Sequence, residues 1–191
     1  MNVYDFDNTV FRPDSSFAFC MFCLRRYPRL MLNDVSGLLP ALIAIRSGKI
    51  SDVSPLKERV FSFLRYLPDV DQTVCDFWQA NLSGFQTWYL EQKRSDDVII
   101  SASPEFLLKS VTEDYLGVHL IATKMDRYTG RILGLNCHDM QKVIRFREEY
   151  PWASVDAFYS DSLTDGPMAE IADQAYFVCK DGLVPWPWKR D

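Results

Sequence analysis

Histidine is nearly absent from this chain. His119 and His138 are the only two and lie far apart in sequence, which leaves no basis for a Ser–His–Asp triad or a histidine-rich metal cluster. Long hydrophobic runs are missing too. The longest, Leu38 to Ile45, is eight residues with Pro40 inside it, against the ~20 needed to cross a bilayer. No membrane span is expected. Basic residues are not in excess either: 21 Lys and Arg face 26 Asp and Glu, for a net charge of −5. With no basic stripe and no RNP-like aromatic motif, a nucleic-acid partner is not expected. The first strand begins by residue 3 and leaves no room for a secretory signal. Five cysteines fit free thiols, so the expected location is cytoplasmic. Cys20 and Cys23 form a C-x-x-C, but no second pair or nearby His completes a zinc site. With Phe17, Met21 and Leu24 they fall at helical spacing, as buried side chains on an apolar helix face.

What the chain does have is a pair of carboxylates at its start. In Val3-Tyr4-Asp5-Phe6-Asp7-Asn8-Thr9-Val10 an apolar run is interrupted by Asp5 and Asp7. Residues i and i+2 of an extended segment project from one face, so both can reach one small volume. Two such carboxylates repel unless a cation or a shared proton intervenes. Alone, an Asp-x-Asp also fits a strand end running into a polar turn. Three further pieces downstream decide between these.

The next strand, Val98-Ile99-Ile100, comes nearly ninety residues later, where a parallel crossover needs only about a dozen. Either the two strands do not pair or a whole domain is inserted between them. The intervening text reads as helices. Phe17, Cys20, Met21 and Leu24 form one stripe; Ser54-Pro55 is a cap and first-turn proline ahead of Leu56, Val60, Phe63 and Leu64. Val70, Val74, Phe77 and Trp78 begin a helix that runs on through Phe85, Trp88 and Tyr89. Its many aromatics read as the core of a small bundle. The division is a core of residues 1–12 and 96–191 around a helical cap of 13–95.

From residue 98 strand and helix alternate. Ser103-Pro104-Glu105 opens a helix. His119–Met125 and Gly130–Leu133 form a strand pair, and Met140, Val143 and Ile144 mark a helix that ends by Pro151. Val155–Tyr159 is a strand, Pro167–Ala172 a helix and Ala175–Val178 the last strand; the Trp-Pro tail folds back over the core. This is an α/β pattern, a Rossmann-like doubly wound parallel sheet with an inserted α-helical cap. Ligands in such sheets bind beyond the carboxyl ends of the strands. Asp5, Asp7, Ser101, Asp161 and Asp165 all fall there, with Lys142 on the helix between. The carboxylates suit a hard divalent cation, Mg2+. The hydroxyl and the amine suit a phosphoryl group.

This ordered set resembles the haloacid dehalogenase superfamily, in the branch (subfamily IB) whose helical cap follows the first strand. Its four motifs read here as Asp5-Phe6-Asp7-Asn8-Thr9, Ser101, Lys142 and Asp161-Ser162-Leu163-Thr164-Asp165. The resemblance implies that Asp5 is the nucleophile, Asp7 the general acid/base, and Ser101 and Lys142 the phosphoryl contacts. It implies Asp5, the Asp7 main-chain carbonyl and Asp161 as Mg2+ ligands, with Asp165 in support. Ser160 stands where the family usually has Gly. The implied activity is phosphomonoester hydrolysis of a small phosphorylated metabolite through an aspartyl-phosphate. Transfer to an alcohol, or binding of a phospho-ligand without efficient turnover, are the alternatives. The segment Lys57-Glu58-Arg59-Val60 also resembles the cap of phosphoserine phosphatases, which implies Arg59 and Asp14 as cap contacts to substrate.

Overall fold

Val3 and Tyr4 are fully buried, because the strand they form, β1 (Asn2–Tyr4), is covered on both faces. A computed structural model describes residues 1–28 and 53–187. The Leu38–Ile45 run, part of the helical insert and Trp188 lie outside the described residues. Five more strands complete one sheet: β2 (Val98–Pro104), β3 (His119–Thr123), β4 (Val155–Ser160), β5 (Ala172–Cys179) and β6 (Gly182–Pro185). Their order is β3-β2-β1-β4-β5-β6. All neighbours are parallel except the β5–β6 hairpin. This is the Rossmann-like α/β sheet expected.

β1 pairs directly with β2, Val3 opposite Val98 and Tyr4 opposite Ile99. That excludes the alternative in which the two strands do not pair. On its other side β1 meets β4, Val3 opposite Phe158. Strand order reverses about β1, and a crevice opens at the carboxyl ends of such neighbours.

Side chains alternate between two cores, as strand periodicity requires. Tyr4, Ile99 and Tyr159 face an aromatic cluster that continues into the helices of the insert. Val3, Val98, Ile100 and Phe158 face the other helical layer. The first layer contains α1 (Ser15–Arg26), α2 (Ser54–Phe61), α3 (Val70–Asn81), α4 (Thr87–Gln92) and the short α5 (Glu105–Lys109). The second contains α6 (Met140–Glu149) and α7 (Gly166–Ile171). Among the described residues no helix is long and apolar enough to cross a membrane.

Several local expectations change. The helix begun at Val70 stops at Asn81, because Gly84 docks on the chain at residues 11–12. A β-carbon there would lie 2.4 Å from the Arg12 carbonyl oxygen and 2.5 Å from the Phe11 ring. Only a helix break lets Arg12 N–H reach Gly84 O and Gln86 N–H reach Val10 O, both at 2.9 Å. Ser54 is itself helical, with Val53 at the cap position. β2 runs on through Pro104, so Ser103 is a strand residue rather than a helix cap. The expected strand pair after His119 shrinks to one bridge, Met125 to Ile132, since β3 spends its hydrogen bonds on β2. Gly130, at φ 74°, there rests against the Phe61 backbone, with no room for a β-carbon. On α1 the buried face is Phe19, Cys20 and Cys23 rather than Phe17 and Met21. Both cysteines are free, and burial pushes the Cys23 thiol up to about 12.

The last strand is longer than expected, and the tail adds β6 to it. Trp186 ends that hairpin almost wholly buried, 6.0 Å from the Phe158 ring and 5.9 Å from that of Phe177. Its backbone N–H donates to Ala175 O at 2.9 Å. Trp186→Ala is expected to cost about 3–5 kcal/mol. A urea titration checks this, and a midpoint equal to wild type rules out a core role for the tail.

Candidate active site

The site is built on the tight turn that follows β1. Asp5 N–H donates to Tyr159 O of β4 at 2.8 Å, which holds the first carboxylate at the crevice between the two strands. The N–H groups of Thr9, Val10 and Phe11 all converge on Phe6 O at 3.0–3.3 Å, and Asn8 takes a left-handed φ of 57°. Phe6 turns the opposite way from its acidic neighbours. It is fully buried, with ring centroids of Phe11, Trp78 and Phe85 at 5.7, 5.9 and 6.1 Å. The acid–Phe–acid order thus anchors the turn in the core while Asp5 and Asp7 line a cleft of about 860 Å³. That volume suits a small organic ligand.

Asp5 is held by a lysine. Lys142, 1% exposed, donates from Nζ to Asp5 Oδ1 at 2.6 Å and to Asp165 Oδ2 at 2.7 Å. Burial opposes the lysine's charge, but Asp165 and Asp5 outweigh it and raise its pKa. Burial also drives Asp5 well above the usual carboxylate range; Lys142 opposes this, and Asp165 and Asp161 add to it. The apolar stripe of α6 does not predict this lysine. Met140 and Ile144 are exposed, and the inward face is Lys142 and Phe146, one turn apart. Ser160 proves useful where Gly was expected. Its hydroxyl donates to Asp165 Oδ2 at 2.7 Å and accepts from Ser162 N–H at 3.1 Å.

Asp7 is gripped from both sides. Oδ1 accepts the Ser15 N–H at 2.6 Å, from the first turn of α1. Oδ2 accepts the Ser103 hydroxyl at 2.5 Å, and Ser103 Oγ lies 2.9 Å from Ser16 Oγ. Burial pushes the Asp7 carboxyl up to about 6, helped by the charge of Asp14 and resisted by the Ser103 and Ser15 hydrogen bonds. Asp5 and Asp7 are therefore two carboxylates with different surroundings, one facing a cation and one facing neutral donors.

The remaining expected residues divide. Asp161 lines the cleft. Its N–H donates to Thr9 Oγ1 at 3.0 Å, and Thr9 Oγ1 lies 3.5 Å from Asp5 Oδ2, tying the turns after β1 and β4 together. Burial raises the Asp161 carboxyl to about 6, with Asp165 contributing. Ser101 is buried at the cleft, its Oγ accepting the Ser103 N–H at 3.0 Å. It stands within β2, separated from the start of α5 by Ala102 to Pro104, rather than beyond the strand's carboxyl end. Asp14 lines the cleft and also caps α1, accepting the Phe17 N–H at 2.8 Å. Arg59 is the exception: it is exposed on α2 and not part of the cleft wall. Helical geometry explains the difference, since Lys57 and Arg59, two residues apart, point about 200° from each other.

Sequence reasoning missed four groups. Ser103 was assigned to a helix cap, although the alternation Ser101-Ala102-Ser103 in a strand puts both hydroxyls on one face. Ser16 and Lys57 come from the insert and reach the cleft only through its packing on the core. His138 lines the cleft with Nε2 3.2 Å from Thr164 Oγ1, and burial lowers its pKa. No signal short of the fold separates Ser16, Lys57 and His138 from surface residues.

Comparison with known proteins places this geometry. The family profile described as haloacid dehalogenase-like hydrolase matches residues 3–170. The chain is 27% identical over 187 residues to Protein CicA of Caulobacter vibrioides, covering 90% of this chain and 82% of that protein. A Bordetella pertussis protein of unknown function superposes with a TM-score of 0.74 at 20% identity, covering 92% of this chain and 87% of its own. A phosphoserine phosphohydrolase-like protein from Francisella tularensis gives 0.54 at 16% identity, covering 92% and 86%. A haloacid dehalogenase family hydrolase from Salmonella enterica serovar Typhi gives 0.53 at 13%, covering 90% and 60%. The structural likenesses speak for the fold; the profile spans β1 to β4 and every carboxylate of the cleft. The chain belongs to the haloacid dehalogenase-like hydrolase family.

Proposed function

We propose that this protein is a magnesium-dependent phosphomonoesterase that works through an aspartyl-phosphate on Asp5, with residues 13–95 as a helical cap of the subfamily IB type over the site. The observation that carries the reading is the pairing of Asp5 with Lys142 beside an independently held Asp7. One carboxylate faces a cation, as a nucleophile approaching an anionic ester needs. The other sits near pH 6, where it can both give and take a proton. The description of the Francisella relative as phosphoserine phosphohydrolase-like points to the same chemistry.

In this mechanism an Asp5 oxygen attacks phosphorus and the ester P–O bond breaks. The departing oxygen takes the Asp7 proton. Asp7 then accepts a proton from water, which attacks the phosphorus, frees Asp5 and releases phosphate. Ser101 and Lys142 hold the phosphoryl oxygens, and Asp165, braced by Ser160, keeps Lys142 in place.

The donor set fits a hard dication. Asp5 and Asp161 both sit above the ordinary carboxylate range, so protein groups alone do not hold the two fully ionised. Mg2+ keeps several waters and takes only one or two carboxylates. Asp5, Asp161 and the Asp7 main-chain carbonyl would hold it. When bound, it supplies positive charge that offsets the repulsion between nucleophile and phosphoryl group.

The test is turnover of small phosphate esters by the purified protein with Mg2+ and with a chelator. Release of phosphate only with the metal is expected, and equal release in both sinks the proposal. Alcohol acceptors in the same assay distinguish transfer from hydrolysis.

Ser103 gives a finer test. Its hydrogen bond lowers the Asp7 pKa, so Ser103→Ala raises it, and the alkaline limb of kcat/KM moves to higher pH. The loss in kcat is expected to be larger for an alkyl phosphate, whose leaving oxygen needs the proton, than for 4-nitrophenyl phosphate, whose leaving group does not. Equal losses on both substrates remove Ser103 from the acid's support.

A further inference from the structure

One half-buried cation in the cleft has no role in the mechanism above. Lys57, on α2, lines the cleft from the side of the insert. Its Nζ donates to Ala102 O at 3.1 Å and to Asn136 Oδ1 at 3.0 Å, both uncharged. The other lysine of the cleft wall, Lys142, is held between two carboxylates. Lys57 makes no ion pair among the described residues. Asp7 and Asp14 are near enough to favour its charge, but burial outweighs them and lowers its pKa to about 8.

The acceptors that hold Lys57 are themselves held by a neighbour. Thr123 Oγ1 lies 2.7 Å from Ala102 O and 2.9 Å from Asn136 Oδ1, and its one proton goes to either of them. Two of its three N–H groups are thereby spent, and one remains for a ligand acceptor. A desolvated ammonium without a counter-ion is costly to keep in a protein wall. The cost is offset if a ligand brings the missing negative charge.

We propose that Lys57 is a specificity-determining residue that binds a second anionic group, a carboxylate, on a small phosphorylated substrate. This rests on the phosphomonoesterase reading, in which Ser101 and Lys142 already serve the phosphoryl group. Ala102, which fixes the ammonium, adjoins Ser101 in sequence. The carboxylate therefore lies only a few bonds from the phosphoryl group, and the substrate is compact. The sequence resemblance had assigned cap recognition to Arg59, which is on another side of α2.

Titration calorimetry with Mg2+ present and two non-hydrolysable probes, 3-phosphonopropionate and propylphosphonate, tests the proposal on three proteins. Wild type is expected to bind the carboxylate-bearing probe about tenfold or more tightly, a difference of ~1.4 kcal/mol. Lys57→Met erases that preference while binding propylphosphonate as wild type does. Lys57→Arg, which keeps the charge, retains it. The proposal is overturned if wild type shows no preference or binds neither probe, if Lys57→Met keeps the preference, or if it weakens both probes equally, as a mere tie between insert and core would. A wild type that shows the Lys57-dependent preference yet hydrolyses no phosphate ester instead overturns the phosphomonoesterase reading alone.

Discussion

Asp5→Asn is expected to lower kcat by about 10^4- to 10^6-fold, the range typical of removing a covalent nucleophile, on every phosphate ester the wild type accepts. The amide keeps the shape of the side chain but cannot attack phosphorus. The fold should survive, because Lys142 keeps its 2.7 Å contact with Asp165 and the substitution removes a carboxylate that burial already disfavours. Asp7→Asn should behave differently. It loses the proton donor, worth about 10^2- to 10^4-fold, and the loss should shrink with a leaving group that departs unprotonated. Steady-state kinetics on an alkyl and a nitrophenyl ester, with circular dichroism as the control for folding, separate these patterns. If both folded variants turn over at the wild-type rate, the covalent mechanism is wrong.

Lys142→Met is expected to have the largest effect on stability. The lysine is almost fully buried between Asp5, 8% exposed, and Asp165, 2% exposed. Removing one partner of a buried ion pair costs about 3–5 kcal/mol, because the remaining charge has neither water nor a counter-ion. For a domain of this size that is a fall of roughly 6–20 °C in melting temperature. The pH dependence of the variant identifies the cause. The folded Asp5 carboxyl sits above its unfolded value even with Lys142 present, and the variant loses the cation that opposes this. The folded state then binds a proton that the unfolded state releases more readily, so stability rises as pH falls toward the unfolded carboxylate range near 4. Denaturation midpoints at pH 5 and pH 8 measure it. A variant as stable as wild type, or one stabilised by raising pH, contradicts the buried-charge account. Adding Asp165→Asn to Lys142→Met should recover part of the loss, since one of the stranded charges is gone.

How far the primary structure was readable depends on the range of the interaction involved. The Asp5-Phe6-Asp7 alternation is local: strand periodicity alone puts two acids on one side and the Phe on the other, and the folded turn keeps that division. The order of strands and helices after residue 98 is also local, carried by short apolar runs and turn residues. Element ends were less legible. The helix from Val70 ends early because of a contact with residues 11–12, some seventy positions away, and β2 outlasts its apolar run because Ser101 and Ser103 face the cleft rather than a helix end. Lys142 and Phe146 occupy the inward face of α6, where hydropathy alone selects Met140 and Ile144; a lysine becomes an interior residue only when two carboxylates wait for it.

The chain by itself thus carried the ingredients of the proposed chemistry: spaced carboxylates, a hydroxyl and an amine in an alternating α/β order. Composition and i, i+2 or i, i+4 spacing are properties of neighbouring residues, and they survive folding unchanged. Only the tertiary structure decided which cation faces which acid, that Ser103 and Ser15 grip Asp7 from opposite sides, and that Lys57 rather than Arg59 enters the cleft. Those choices depend on how the insert docks on the sheet, a matter of packing between segments distant in sequence, for which no local pattern carries a signal.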